Sequence, residues 1–195
     1  ARVGTCAFGT VVGMPPLDVT DLLDDRTLRG PAFCRALTAR VDEHLAEVFA
    51  AADPPAGTAL AAVGGYGRGE QCPGSDVDVV LVHAPGADVV AAAQAIWYPL
   101  WDAGLKLGHQ VGTVDQLLEV SGEAIETATS LLAARTVAGD PDPVERLAAA
   151  ALDRWQGRSR RHLDQLQAVV AERHARYGEV AFLLEPDLKE ARGGL

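Results

Sequence analysis

The chain has 195 residues, 48% of them hydrophobic, and a formal net charge of −10. This length fits one medium domain, or one domain with a helical annex. The acidic balance argues against a broad nucleic-acid-binding surface, which needs a basic face, so we expect no nucleic-acid partner. No apolar run approaches membrane-spanning length, and we expect neither a membrane partner nor a secretory signal.

The three cysteines are Cys6, Cys34 and Cys72, an odd number without the spacing of metal ligands. Thiols scattered in this way are typical of a reducing compartment. We therefore expect the protein to be cytoplasmic.

Residues 1–57 are predicted to form an N-terminal helical segment. Residues 32–50 indicate an amphipathic helix, because apolar side chains recur at spacings of three and four. A shorter helical turn is expected at residues 20–23. The Asp53-Pro54-Pro55 sequence ends the long helix and leads into the next segment.

The most informative stretch follows, at residues 59–83. The apolar run 60–63 ends in Gly64-Gly65 and predicts a buried strand. A glycine-rich turn then closes at Ser75, and the Asp76-Val77-Asp78 sequence opens a second apolar run. Because side chains alternate faces along a strand, Asp76 and Asp78 are expected to point the same way.

Two neighbouring carboxylates repel each other, and a divalent cation removes that cost. Mg²⁺ favours a few carboxylates together with phosphate oxygens, and a glycine turn allows the backbone to approach a phosphate chain. The pattern therefore favours magnesium-dependent phosphoryl or nucleotidyl transfer. The competing interpretation is a β-hairpin whose aspartates only cap and solvate its turn.

Two other glycine motifs are excluded. A P-loop needs lysine after its last glycine, whereas Glu70 follows Gly69. A dinucleotide-binding fingerprint needs a third glycine at position 70 and a helix after it, but a strand follows here.

The spacing of Gly64-Gly65 from Asp76-x-Asp78 resembles the nucleotidyltransferase motif of the DNA polymerase β superfamily. The longer string GGYGRGE-x-C-P-x-SD-x-D is similar to one family within it, the bifunctional uridylyltransferase/uridylyl-removing enzymes that modify PII nitrogen-signalling proteins. Two later stretches carry the same resemblance, LWDAGLKLGHQVGT at 100–113 and LEPDLKEARGGL at 184–195.

The resemblance implies an α+β, polymerase β-like nucleotidyltransferase fold. A small mixed sheet flanked by helices would form the core at residues 58–140, and a helical segment would follow at 141–195. It also implies that Mg²⁺ binds Asp76 and Asp78, and that UTP or ATP donates a nucleoside monophosphate to a tyrosine of a PII-type protein. The nucleotide-binding candidates are Gly64, Gly65, Arg68, Gly69 and Ser75. Arg68 has two alternative roles, charge stabilisation or a structural ion pair.

The chain departs from the family on the predicted third strand, 105–111, where related enzymes place a third metal-binding carboxylate. Lys106 stands where some relatives have glutamate, Gln110 replaces serine, and Gly112 replaces arginine. His109 on this strand has two interpretations, a contact with phosphate or metal and a backbone hydrogen bond. Transfer to another protein or a small molecule, and nucleotide binding without turnover, remain alternatives.

The remaining elements are predicted from periodicity and capping signals. A helix is expected at 88–103. Its Trp97, Tyr98 and Trp101 form an aromatic cluster that we expect in the core, with stacking on a nucleobase as the alternative. Thr113 with Gln116 forms a capping box at the start of another helix. Further helices are expected at 123–138, ended by Gly139, and from an Asp142 N-cap to about residue 177, with a weak point at Gly157.

The final motif stops at residue 195, so we expect the chain to be a fragment of a larger bifunctional enzyme. We see no His-Asp hydrolase motif and no glutamine-sensing module, which predicts modification without removal. Lys189 and the Gly193-Gly194 pair either fold over the nucleotide site or dock beside the core.

Overall fold

The computed structural model describes residues 17–187 and 190–193. A four-stranded mixed sheet with strand order β3-β2-β1-β4 lies at the centre. Strand β1 pairs antiparallel with β2 and β4, whereas β2 and β3 are parallel. The strands are β1 (Ala59–Ala62), β2 (Val77–Val82), β3 (Leu107–Gly112) and β4 (Arg135–Gly139).

Helices cover both faces of this sheet, so the expected α+β class with a small mixed sheet flanked by helices is confirmed. A 3₁₀ turn, Val180–Phe182, follows the last helix. The helices are α1 (Thr20–Asp24), α2 (Pro31–Ala51), α3 (Gly64–Gly67), α4 (Val90–Asp102), α5 (Val114–Ser121), α6 (Ile125–Leu131), α7 (Pro141–Gly157) and α8 (Ser159–Tyr177). No helix in the described part of the chain is long and apolar enough to cross a membrane.

Strand β1 is the most buried element, with all four side chains inside the protein. Leu60 and Ala62 pack with α2 and α4 in one hydrophobic cluster. Ala59 and Ala61 pack with α5, α6 and α7 in a second cluster on the other face. The strand reads as a continuous apolar run because it is covered on both faces.

The strand alternation also divides β2 between these two clusters. Val77, Val79 and Leu81 belong to the α2–α4 side. Val80 and Val82 belong to the α5–α7 side. Asp78 shares the second face, because residues two apart on a strand point the same way.

Most predicted helices are confirmed. Helix α2 matches the predicted 32–50 helix, and the Thr113 side chain accepts from the Gln116 backbone N–H in a complete capping box. Helix α7 ends at Gly157, and Gly178 follows the end of α8.

The prediction of one helix over 123–138 is wrong. Helix α6 ends at Leu131, and residues 135–139 pair with β1 as strand β4. Thr136 and Val137 are β-branched and suit a strand. The free edge of β1 supplies hydrogen-bond partners that no local pattern reveals, so tertiary pairing overrides the helical periodicity.

The start of α7 also differs from the prediction by two residues. Asp140 is the N-cap and accepts from the Asp142 backbone N–H at 3.1 Å, with Pro141 at the first helical position. The sequence contains two consecutive Asp-Pro pairs, and either one satisfies the capping rule. The first pair is used because the chain enters the helix directly after β4 ends at Gly139.

The described part of the C-terminal tail docks against the end of α8. Arg192 donates its backbone N–H to Gly178 (2.9 Å), and its carbonyl accepts from Val180 (3.0 Å). Ala191 is buried there. Lys189 and Gly194, on which the choice between the two predicted arrangements depends, lie outside the described residues.

A polar network joins α2, α3 and β4. The Tyr66 hydroxyl donates to Asp42 at 2.5 Å, and Arg135 makes two hydrogen bonds to the same carboxylate at 2.8 and 3.0 Å. Tyr66 is only 1% exposed. Burial, together with the adjacent Asp42 carboxylate, raises the pKa of Tyr66 well above its ordinary value.

We expect Tyr66→Phe to lower the free energy of unfolding by about 1–3 kcal/mol at pH 7, because Asp42 loses a buried donor. Above about pH 10 the unfolded tyrosine ionises, while folded Tyr66 keeps its proton. The wild-type protein then loses stability relative to Tyr66→Phe, by up to about 1.4 kcal/mol per pH unit.

Urea unfolding of both proteins from pH 7 to 11 measures this difference. Tyr98→Phe is the matched control, since the Tyr98 side chain is 53% exposed. A constant gap between wild type and Tyr66→Phe across this range would contradict the role of the buried hydroxyl.

Candidate active site

The glycine turn begins where β1 ends. Gly64 opens α3 with φ +59°, a left-handed conformation that side chains disfavour. Gly67 closes α3 against the backbone of the turn after α6, and a Cβ there would overlap the Ala133 carbonyl oxygen. The turn therefore needs glycine at one position for its conformation and at another for close packing.

The segment between α3 and β2 is held by Gln71. Its side chain is 4% exposed, and Nε2 donates to the carbonyls of Ser75 and Asp76, both at 3.3 Å. The Ser75 backbone N–H donates to the Cys72 carbonyl at 3.0 Å. Pro73 followed by Gly74 at φ +78° is the pattern of a type II turn.

The Asp78 carboxylate lies between two glycines. Asp78 pairs in register with Gly108 on β3, where any Cβ would overlap Asp78 Oδ1. A Cβ on Gly64 would lie 3.5 Å from Asp78 Oδ2. The missing side chain at position 108 therefore leaves the space that this half-buried carboxylate occupies, whereas a Cβ at position 64 would only be in ordinary contact with it.

Asp76 lies one residue before β2, so only Asp78 belongs to the strand itself. The Asp76 side chain is exposed at the end of the turn that Gln71 holds. Asp76 therefore lies at the end of the loop, and Asp78 lies at the start of the strand that follows it. Carboxylate oxygens are hard ligands that fit Mg²⁺.

The third strand supplies no carboxylate to this face. Gly108, Gln110 and Gly112 share the Asp78 face by strand alternation. Among the described residues, no group of three or more His, Cys, Asp or Glu side chains is placed to hold a metal ion. The residues that are present fit a divalent ion that completes its shell with substrate and water oxygens.

The other predicted nucleotide-binding residues surround the same turn. Gly65 lies in α3, Gly69 follows that helix, and Ser75 ends the type II turn. Arg68 forms a 2.8 Å ion pair with Glu70, and both side chains are more than half exposed. Of its two predicted roles, Arg68 thus has the ion pair in this structure, while its exposure leaves it accessible to a ligand.

His109 and the aromatic cluster lie on the opposite face. His109 pairs in register with Val79, and its ring lies 5.1 Å from Trp97 and 5.3 Å from Trp101 between centroids. Trp97 is buried as predicted, whereas Tyr98 and Trp101 are 53% and 43% exposed, so they are not core residues. Strand alternation therefore separates His109 from the Asp78 face.

Sequence reasoning missed three residues that position this site, namely Asp42, Gln71 and Arg135. Asp42 lies within the predicted 32–50 helix, and Arg135 lies within the predicted 123–138 helix, which is not formed there. Arg135 also donates to the carbonyls of Gly67 and Tyr66 at 3.3 and 3.4 Å. Asp42 and Arg135 are 93 residues apart along the chain, so no local spacing reveals their contact. Gln71 bonds to carbonyls only four and five residues ahead, but glutamine has no turn-forming signature of its own.

The comparison with known families agrees with this geometry. Residues 29–106 match the family described as "Putative nucleotidyltransferase DUF294". That range contains α2, the glycine turn and both aspartates. The chain therefore contains a nucleotidyltransferase domain.

Curated relatives named bifunctional uridylyltransferase/uridylyl-removing enzyme confirm the predicted resemblance. The Streptomyces coelicolor protein is 45% identical over 177 residues, covering 89% of this chain and 21% of that protein. The Corynebacterium glutamicum protein is 37% identical, covering 72% of this chain and 20% of that protein. The Mycobacterium tuberculosis protein is 39% identical, covering 71% of this chain and 18% of that protein.

The chain thus spans about a fifth of the length of these relatives. Among solved structures, a toxin–antitoxin crystal structure with AMP-PNP overlaps 66% of this chain and 97% of its own, with 12% identity and a TM-score of 0.41. A similarity this distant bears on neither the fold nor the function.

We expect Gly108→Ala to displace the Asp78 carboxylate while the protein stays folded, because the overlapping atom belongs to a side chain that can rotate. Binding of magnesium-triphosphate should weaken about 10–100-fold, as for lost support of a metal ligand. Isothermal titration calorimetry measures this affinity, and circular dichroism monitors the fold.

Gly157→Ala is the control, since a Cβ there meets nothing within 4 Å. Equal affinities for the Gly108→Ala and Gly157→Ala variants would mean that Asp78 does not need the space above Gly108.

Proposed function

We propose that this nucleotidyltransferase domain, similar to that of the bifunctional uridylyltransferase/uridylyl-removing enzymes, transfers a nucleoside monophosphate from a magnesium-bound triphosphate to a tyrosine of a PII-type protein. The single observation that carries the proposal is the position of the Asp78 carboxylate, which lies over Gly108 and next to Gly64 of the glycine turn. The names of the curated relatives support UTP as the donor and a uridylylated acceptor.

In this proposal Asp76 and Asp78 hold Mg²⁺, which when bound neutralises charge on the triphosphate. Gly64 and Gly65 let the backbone come close to the phosphates because no side chain intervenes. Ser75 would donate a hydrogen bond to a phosphate oxygen. The acceptor hydroxyl attacks the α-phosphate and pyrophosphate leaves, so the main contribution of the protein is alignment of the reacting groups.

The absence of an acid on β3 favours one competing function, nucleotide binding without turnover. Enzymes that clamp both reacting oxygens commonly use two metal ions, and a second ion needs further ligands. This competing function predicts triphosphate binding but no product. A transfer assay therefore separates the two functions.

We expect the double variant Asp76→Asn/Asp78→Asn to lose label transfer from [α-³²P]UTP to a PII-type protein by on the order of 10³-fold or more, since metal charge stabilisation contributes several kcal/mol. The same assay with [α-³²P]ATP determines the base preference. Label on the acceptor is measured after gel electrophoresis, and the modified residue is identified by mass spectrometry.

Asp115→Asn is the matched control, because Asp115 is an exposed acid in the first turn of α5. Undiminished transfer by the double variant would refute the metal assignment. Tight triphosphate binding by the wild-type chain without any transfer would instead establish the non-catalytic function.

Arg68 provides a separate test of the phosphate site. If Arg68 contacts phosphate, Arg68→Ala loses a charge-assisted hydrogen bond, and the Kd for triphosphate rises about 10–100-fold. Because its ion pair with Glu70 is exposed, the free energy of unfolding should change by less than about 1 kcal/mol.

Glu70→Gln removes the same ion pair but keeps the arginine. Its triphosphate affinity should therefore stay at the wild-type value in the same titration. Equal weakening by both variants would show that the ion pair, rather than a phosphate contact, explains the effect of Arg68.

A further inference from the structure

Two thiols meet where α2 passes the segment that leads to Asp76. Cys34 lies in the first turn of α2, and Cys72 is the first residue of the type II turn. Their sulfur atoms are 3.7 Å apart, although 38 positions separate the residues in sequence. Both are free thiols, with Cys34 partly buried and Cys72 exposed.

The backbone on both sides of this contact is held by hydrogen bonds. The Cys34 N–H donates to the Gly30 carbonyl at 3.1 Å, and the Cys72 carbonyl accepts from Ser75 at 3.0 Å. A disulfide needs the two sulfurs about 2.0 Å apart. A small closing movement of two side chains already in contact therefore suffices.

We propose that Cys34 and Cys72 form a reversible disulfide that ties the Cys72–Ser75 turn to α2. The inference does not rest on the proposed function, because it concerns only the thiols and the loop that carries them. Disulfides in a reducing compartment are usually transient and redox-sensing, so this pair would respond to oxidation rather than staple the fold permanently.

The oxidant is a low-molecular-weight disulfide such as oxidised glutathione. The exposed Cys72 thiolate attacks one glutathione sulfur, forming a mixed disulfide and releasing one glutathione thiolate. The Cys34 thiolate then attacks the Cys72 sulfur and releases the second glutathione. Two protein thiols and one oxidised glutathione thus become one protein disulfide and two reduced glutathiones.

The crosslink would attach the segment to α2 by a covalent bond. Tyr66 in α3, just before this segment, already donates to Asp42 on α2, two helical turns beyond Cys34. The disulfide would add an attachment at the other end, four residues before Asp76. Oxidation would thereby restrict the loop that precedes both aspartates.

Hydrogen bonding to Cys34, with burial and the Glu70 carboxylate adding to it, raises the pKa of the Cys72 thiol. The thiolate is the attacking species, so exchange at neutral pH is slow and accelerates as the pH rises. We therefore place the experiment at pH 8.5, where a larger fraction of the thiol is ionised.

The test uses a Cys6→Ser background, which leaves Cys34 and Cys72 as the two remaining thiols. The protein is equilibrated with oxidised glutathione and then freed of it. Mass spectrometry of the intact protein and its peptides should show the loss of two hydrogen atoms and a Cys34–Cys72 linked peptide. Reduction should reverse both changes.

The melting temperature of the oxidised protein should rise by on the order of 5–15 °C, because the crosslink closes a long loop in the unfolded chain. Amide hydrogen exchange across residues 70–76 should slow in the same sample. The Cys34→Ser and Cys72→Ser variants, treated identically, should show neither change.

Three results would overturn the proposal. Glutathione adducts on separate cysteines as the only oxidation products would mean that the thiols cannot join. A linked peptide without a rise in melting temperature would mean that the disulfide does not fit the native geometry. The same rise in Cys34→Ser would assign the stabilisation to another cause.

Discussion

The Asp42 carboxylate holds the glycine turn in place. It accepts from the buried Tyr66 hydroxyl and from two nitrogens of Arg135, so it joins a helix, a turn and an edge strand. A buried hydroxyl without a partner is costly, and so is a carboxylate without a counter-charge. Asp42 gives the Tyr66 hydroxyl an acceptor, and Arg135 gives Asp42 its counter-charge. Arg135 also donates to the Gly67 carbonyl. The turn is therefore anchored from outside, by residues that take no part in its own motif.

The candidate site depends on space as much as on functional groups. Asp78 keeps its place because position 108, on the neighbouring strand, lacks a side chain. A larger residue at position 108 would push on the carboxylate rather than add a contact. Gln71 performs the complementary task, since its buried amide holds the carbonyls of Ser75 and Asp76. The glycines and the Gln71 amide together thus position the loop end and the strand start that carry Asp76 and Asp78.

The sheet keeps two kinds of chemistry apart. Even-numbered positions of β2 and β3 share a face with Asp78, while Val79 and His109 face α4 and its tryptophans. His109 therefore belongs to an aromatic cluster, although it lies one residue from Gly108. The same alternation places Gln110 on the Asp78 face, and no residue of β3 supplies an acid there. In a site built from neighbouring strands, this alternation decides which side chains share a face, whatever their charge.

The sequence by itself determined the glycine turn, both aspartates, the long helices and the Thr113 capping box. These features follow from local rules of conformation, periodicity and capping, which act over a few residues. The tertiary structure alone decided that residues 135–139 are a strand, because only the free edge of β1 offers them partners. It also decided that Asp42, Tyr66 and Arg135 meet, and that Gly108 makes room for a carboxylate. Contacts between residues tens of positions apart depend on how the chain packs, and a local pattern carries no record of that packing.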